Sequence, residues 1–61
     1  MAMEYYLFTC VFEGEYEGEQ CIVEAENFDD ALIIARDEFG EVEFEEMLTE
    51  DEVDVYGLDV F

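Results

Sequence analysis

The chain has 61 residues, of which 20 are Asp or Glu, and Arg36 is its only cation, so its formal charge is −19 at pH 7. Because it has no Lys and a single Arg, it cannot neutralise phosphates, which excludes direct binding to nucleic acid or to an anionic membrane. Its apolar fraction of 52%, with six Phe and four Tyr, predicts one folded acidic domain over residues 1–61 instead of a disordered chain.

Two strand-like segments open the chain and predict a β-hairpin. Residues 4–12 are rich in aromatic and β-branched side chains, and residues 19–26 resume the apolar pattern after an acidic turn. A hairpin centred between Glu15 and Tyr16 puts Cys10 opposite Cys21. One face then carries Tyr6, Phe8, Cys10, Phe12, Cys21, Val23 and Ala25. The other face is more polar, with Tyr5, Leu7, Thr9, Val11, Gln20, Ile22, Glu24 and Glu26, and the tip collects Glu13, Glu15, Glu17 and Glu19.

The segment ENFDDALIIARDEFG, residues 26–40, predicts an α-helix. Asn27 is a suitable N-cap, and Gly40 follows the last periodic residue. One stripe of this helix carries Phe28, Ala31, Leu32, Ala35 and Phe39, with Ile34 at its border. Ile33 lies on the opposite side, which predicts an exposed apolar contact for a partner or a second copy. A helix covered on both sides, by the sheet and by a loop, is the alternative.

The last third of the sequence predicts a second hairpin. Its first strand has an apolar face with Val42, Phe44 and Leu48, which alternate with Glu41, Glu43, Glu45 and Met47. A turn at residues 49–52 leads into a fourth strand with Val53 and Val55 inward and Asp54 outward, and Gly57 suits a bulge. The turn sequence TEDE also fits a capping box, so a short helical turn is the alternative. The predicted fold is therefore α+β in the order ββαββ, with one helix packed on an antiparallel or mixed sheet.

The sequence lacks the side chains that most enzyme mechanisms require. There is no His, Ser or Lys for a triad or a Schiff base, and so small a chain has little room for a glycosidase cleft, so no enzyme activity is expected. Cys10 and Cys21 have no neighbouring cation and several neighbouring carboxylates, so reactive thiols are not expected. They are predicted to be two buried core cysteines, with a cross-strand disulfide as the alternative. No cofactor is expected, because two cysteines without His do not form a zinc site and residues 51–57 lack the EF-hand spacing; a dedicated calcium site is the alternative.

The sequence also predicts a cytoplasmic protein. No segment has the basic and apolar regions of a secretory signal. No apolar run approaches the roughly 20 residues that span a bilayer, so no membrane is expected as a partner.

The acidic surface remains as the candidate functional feature. Carboxylates two positions apart on a strand lie roughly 6.5 to 7 Å from each other, so Glu41, Glu43 and Glu45 predict a regular row, with Asp54 on the adjacent strand. Duplex DNA likewise presents regularly spaced anions, and a protein that grips it offers a groove of Lys and Arg. The predicted partner is therefore a basic DNA- or RNA-binding protein, bound by a monomer or a homodimer. The predicted partner-binding residues are Glu13, Glu15, Glu17, Glu19, Asp29, Asp30, Ile33, Asp37, Glu38, Glu41, Glu43, Glu45 and Asp54.

In composition and charge layout, the whole chain resembles the acidic DNA-mimic inhibitors of phages and mobile elements. That class includes inhibitors of uracil-DNA glycosylase, anti-restriction proteins and anti-CRISPR proteins. The resemblance implies a non-enzymatic inhibitor that competes with DNA for the basic groove of its target. Two alternatives remain open, namely an acidic adaptor or regulator of another basic protein and a halophile-type protein whose charge serves solubility.

Overall fold

The fold is α+β, as the sequence predicts, but its element order is ββαβα. The computed structural model describes residues 3–11 and 18–61. Its elements are β1 (Glu4–Cys10), β2 (Gln20–Ala25), α1 (Phe28–Phe39), β3 (Val42–Leu48) and α2 (Glu50–Tyr56). The three strands form an antiparallel sheet in the order β2-β1-β3, so β1 is central. Phe12, Glu13, Glu15, Tyr16 and Glu17 of the predicted hairpin lie outside the described residues.

The first two strands pair as predicted, but in a different register. Phe8 faces Cys21 and Tyr6 faces Val23, which displaces the predicted pairing by two residues. An even displacement leaves every side chain on its predicted face, so the pattern of the two faces cannot distinguish these registers. Gly18, with φ of 82°, forms a glycine-type bulge with Glu19: the Cys10 N–H donates to the Glu19 carbonyl at 2.8 Å, and the Cys10 carbonyl accepts from the Gly18 N–H at 2.9 Å.

The helix α1 forms where its caps and apolar stripe predict it. The Asn27 side chain accepts a hydrogen bond from the Asp30 backbone N–H at 2.8 Å, which satisfies one of the free donors of the first turn. Gly40, with φ of 83°, ends the helix. Ala31 and Ala35 are fully buried against the sheet, in a cluster that includes Tyr6, Phe8, Cys21, Val23 and Ala25. The first predicted core face is therefore confirmed for its described members.

The strand β3 carries a bulge that changes which side chains share a face. Its pairing with β1 shifts between Leu7 and Phe8, and Glu45 is the residue left without a direct partner. Consequently Phe44 lies opposite Phe8 on the α1 side, whereas Leu48 lies opposite Tyr5 on the other side. The prediction that Phe44 and Leu48 share one apolar face is wrong, because one extra residue reverses the alternation.

The predicted fourth strand is wrong, because residues Glu50–Tyr56 form the helix α2. The Thr49 hydroxyl accepts from the Glu52 N–H at 3.3 Å, and a Glu52 carboxylate oxygen accepts from the Thr49 N–H at 3.1 Å, which completes the capping box. Acidic residues in its first turn also suit the positive end of the helix dipole. Gly57, with φ of 65°, is the C-cap of this helix and not the predicted bulge. Two valines in alternation are a weaker signal than a cap at each end.

The second helix gives the sheet a second buried face. Leu7, Ile22 and Leu48 are buried there, with Tyr5, Val53 and Leu58 packed against them. This is the face that the sequence predicts to be more polar, and the difference arises because Val53 of α2 and Leu58 of the following segment pack on it. The sheet is therefore held between α1 on one side and α2 with the following segment on the other.

Candidate functional site

The strand β3 lies at an edge of the sheet, and this position defines the candidate site. On the opposite edge, the Glu24 N–H donates to the Phe61 carbonyl and the Phe61 N–H donates to the Ile22 carbonyl, both at 2.9 Å. Among residues 3–11 and 18–61, no strand pairs with the outer side of β3. Six of its seven residues are exposed or half-buried, and only Leu48 is buried. The outer side of β3 is the open edge of the sheet in the part of the chain that the structure describes.

Four carboxylates follow this open edge, and we call them the acidic edge: Glu41, Glu43, Glu45 and Glu46. All four are exposed. Residues opposite each other on paired strands share a face, so Glu43 opposite Thr9, and Glu46 opposite Leu7, lie on the α2 side of the sheet. Glu45 reaches the same side, because the Thr9 hydroxyl donates to a Glu45 carboxylate oxygen at 2.9 Å.

The acidic edge corrects the predicted row in one respect and extends it in another. The bulge at Glu45 interrupts the uniform two-residue spacing that a regular strand would give to Glu41, Glu43 and Glu45. It also brings Glu46 onto the carboxylate side, a residue that strict alternation leaves out of the row. The signal for this was the pair of consecutive glutamates inside an otherwise alternating strand.

A second group of carboxylates surrounds Tyr5 on the same face of the sheet. A hydrogen bond with Glu24 raises the pKa of the Tyr5 phenol, and burial and the negative charges of Glu24, Glu50 and Asp54 act in the same direction. Asp54 lies on α2, so its predicted place on an adjacent strand is wrong, although it does lie close to this face. Glu24 and Glu50 are not among the predicted site residues. Glu24 lies opposite Tyr5 only in the register that the structure adopts, and Glu50 approaches Tyr5 only because α2 folds back over this face.

The remaining predicted carboxylates lie elsewhere on the molecule. Asp29 and Asp30 are in the first turn of α1, and Asp37 and Glu38 are in its last turns, all exposed. This helix packs on the sheet face opposite to Glu43. Glu19 is exposed beside the bulge of the first hairpin, and Glu13, Glu15 and Glu17 lie outside the described residues. The structure therefore separates the described predicted residues into an α1 group, the acidic edge, Asp54 on α2, and Glu19 at the first hairpin.

An apolar patch flanks β3 on the α1 side: Phe28, Phe44 and Met47. These side chains are 39%, 41% and 49% exposed. The rings of Phe28 and Phe44 meet edge to face with centroids 5.1 Å apart, and Phe44 also packs edge to face on Phe8 at 5.9 Å. The core therefore holds these rings in place from one side, while their other side faces solvent.

The cysteines do not form part of a reactive site. Cys10 and Cys21 are free thiols, both fully buried, as the sequence predicts for core cysteines. They do not face each other directly, because Phe8 is the residue opposite Cys21. Burial raises the pKa of the Cys10 thiol, and raises that of Cys21 to about 12. At neutral pH both thiols are protonated and therefore poor nucleophiles.

Metal ligands, membrane helices and similarity to known proteins were the other possible indications of function. Within residues 3–11 and 18–61, no group of three or more His, Cys, Asp or Glu side chains is placed to hold a metal ion. Neither of the two described helices is long and apolar enough to cross a membrane. No protein-family model, curated protein or solved structure matches the chain.

Proposed function

We propose that this protein is a non-enzymatic DNA-mimic inhibitor that occupies the basic nucleic-acid-binding groove of a target protein in the cytoplasm of a host cell. The acidic edge is the observation that supports this function best. Its carboxylates are exposed, and those of Glu43, Glu45 and Glu46 lie on one face of β3. The Thr9 hydroxyl is the only hydrogen-bond donor that the described structure gives to them. A groove evolved to neutralise phosphates supplies the Lys and Arg that this surface lacks.

The packing of the sheet explains how a small chain can hold such a surface. The central residues Leu7, Phe8 and Ile22 are at most 1% exposed, so both faces of the sheet are anchored in apolar packing. Like-charge repulsion favours expansion of the chain, but β3 is joined to β1 along its length and cannot move away without breaking the ladder. The backbone positions that carry the carboxylates are thus fixed before a partner binds, which leaves only the side chains to be ordered on binding.

An acidic adaptor that binds another basic protein is the second candidate. The apolar patch favours it, because Phe44 and Met47 are exposed next to the carboxylates and have no counterpart on a DNA phosphate backbone. Both candidates require a basic partner. They differ in whether DNA and this protein exclude each other from that partner.

Competition with DNA distinguishes the two candidates. The protein would be immobilised, partners captured from the lysate of its host at low salt, and each captured protein tested for binding duplex DNA in the presence of increasing amounts of this protein. Mutual exclusion supports the mimic. Simultaneous binding of DNA and this protein to the same partner contradicts it and supports the adaptor.

Charge-matched variants then locate the contact. An exposed ion pair contributes roughly 0 to 1 kcal/mol, so Glu43→Gln alone is expected to weaken binding only slightly. The triple variant Glu43→Gln, Glu45→Gln, Glu46→Gln is expected to weaken it by up to about 3 kcal/mol. The control variant Asp29→Asn, Asp37→Asn, Glu38→Gln removes the same charge from α1. Equal weakening by both triple variants would show that net charge, and not the acidic edge, determines binding.

A further inference from the structure

The backbone of β3 has hydrogen-bonding groups that face away from the sheet. In an antiparallel pair, residues that exchange hydrogen bonds alternate with residues whose N–H and C=O groups face the other side. The Val11 N–H donates to the Glu41 carbonyl at 3.1 Å, so the backbone of Val11 faces β3. The Cys10 backbone faces the opposite side of β1, where its N–H donates to Glu19 and its carbonyl accepts from Gly18. The backbone groups of Val42, which lies opposite Cys10, therefore face outward.

The same alternation continues along the strand. Phe44 lies opposite Phe8, and Met47 lies opposite Tyr6 beyond the bulge. Phe8 and Tyr6 have the same parity as Cys10, so their backbone groups also face β2, and those of Phe44 and Met47 face outward. Three N–H and three C=O groups are therefore available along the open edge.

The two faces of this edge differ in chemistry. On the α1 side, an added strand would meet the apolar patch of Phe28, Phe44 and Met47. On the α2 side, it would meet the carboxylates of the acidic edge. Alternate side chains of a strand point to opposite faces, so a matching strand has apolar residues at every second position and cations between them.

We propose that the open edge of β3 binds an extended segment of the partner as a fourth strand, in which apolar residues alternate with Lys or Arg. This inference rests on the proposed function, because the segment belongs to the basic target, and it adds the mode of binding. Main-chain hydrogen bonds of an added strand give affinity, and pockets for alternate side chains give specificity. Here the carboxylates of Glu43, Glu45 and Glu46 select for cations on one face.

A second copy of this chain is the occupant that the charges disfavour. Pairing β3 with β3 would bring the acidic edges of two copies together, and like charges opposite each other in a sheet are destabilising. Charged side chains on an edge strand are also a common means of preventing such self-association. A basic strand satisfies the same backbone groups without that repulsion.

Synthetic peptides provide the test, because they need no knowledge of the target. The probe is a peptide of about ten residues, a common upper length for a strand, in which Lys and Val alternate. The control peptide has the same composition with all Lys residues before all Val residues. Binding to the ¹⁵N-labelled protein would be followed by NMR, and we expect the alternating peptide to shift and protect from hydrogen exchange the amides of Val42, Phe44 and Met47. Equal affinity for the two peptides, or shifts confined to other elements, would overturn the proposal.

Backbone variants test the hydrogen bonds themselves. Phe44→Pro and Phe44→Ala both remove the ring, but only Pro removes the outward N–H, and an edge strand tolerates Pro where the N–H faces solvent. The Pro variant is expected to bind the alternating peptide roughly tenfold more weakly than the Ala variant, as the loss of one main-chain hydrogen bond implies. If Phe44→Pro fails to fold, the alternating peptide methylated at every second backbone nitrogen tests the same bonds, since one of the two methylation patterns must abolish binding. Equal binding by the Pro and Ala variants, or by both methylated peptides and the unmodified one, would contradict strand addition.

The outcomes are separable from those of the proposed function. If DNA competes with this protein for its partner but the peptides do not bind at β3, the DNA-mimic function is supported and strand addition is wrong. If the alternating peptide binds at β3 but DNA does not compete, the edge binds basic strands and the mimic is wrong.

Discussion

Replacing Val53 and Val55 by Ala, one at a time, tests whether residues 50–56 are a helix packed on the sheet. In α2, Val53 is half-buried against Leu7, Ile22 and Leu48, whereas Val55 is 86% exposed. In a strand, the two valines would share one face and be buried together. The helix and the strand therefore predict different results for the same pair of substitutions.

The magnitudes follow from burial and helix propensity. Val→Ala removes two methyl groups, which at about 0.8 kcal/mol for each buried carbon gives about 1.6 kcal/mol for full burial and about 1 kcal/mol at the half-buried Val53. Ala is a better helix former than Val by about 0.5 kcal/mol, and both variants gain this term. Val53→Ala is thus expected to lower the free energy of unfolding by about 0.5 kcal/mol, and Val55→Ala to raise it by about 0.5 kcal/mol.

Urea and thermal unfolding of the two variants beside the wild type measure the difference. A separation of about 1 kcal/mol corresponds to about 4 to 8 °C in Tm for a domain of this size. Equal losses in both variants, or a larger loss for Val55→Ala, would refute the packing of α2 described above.

Three further predictions concern charge, exposure and thiol ionisation. The urea midpoint should be higher at about 500 mM than at about 20 mM salt, because screening relieves like-charge repulsion, and a lower midpoint at high salt would contradict this. Ile33, 66% exposed, should tolerate Ser with a change in the free energy of unfolding below about 0.5 kcal/mol, and a loss above roughly 2 kcal/mol would show burial. Above pH 9 the free energy of unfolding should fall with rising pH, because the unfolded Cys21 thiol ionises from its ordinary pKa of 9.0 while the folded one stays protonated up to about 12. The slope is about 1.4 kcal/mol per pH unit for one proton, and a Cys21→Ala variant with an equally steep decline would rule out this thiol as its source.

Local signals with few alternatives were enough to predict the first half of the fold. The cap at Asn27, the stripe that includes Ala31 and Ala35, and the glycine at residue 40 all agree, and α1 forms where they indicate. The faces of β1 and β2 were also predictable, since they depend only on parity, whereas the register between them depends on the turn and on the bulge at Gly18.

The second half of the chain was ambiguous on physical grounds. Val53 and Val55 fit a strand by alternation, and a helix of seven residues is too short to show a clear apolar stripe. What decides the conformation is the reciprocal cap between Thr49 and Glu52, together with the burial of Leu7 and Ile22 that α2 makes possible. This burial is a tertiary interaction, so it cannot be predicted from the sequence of the segment alone.

The candidate site was predictable in charge but not in arrangement. Glu43 and Glu45 were identified from the alternation of the strand, and they do lie on one side of the sheet. Glu46 joins them only because of the bulge, and Glu50 approaches Tyr5 only because α2 folds back. The separation of the α1 carboxylates from the acidic edge likewise follows from the packing of α1 on the other face.

The difference between the two edges of the sheet sets the number of strands that one molecule can bind. Beside β2, the backbone of Phe61 already pairs with Ile22 and Glu24, whereas no described residue pairs with the far side of β3. A molecule with one vacant edge can accept one strand and then offers no equivalent edge to the next. Each copy of this protein should therefore bind one strand through β3, and in a strand-stacking aggregate the molecule would act as a terminator and not as a link.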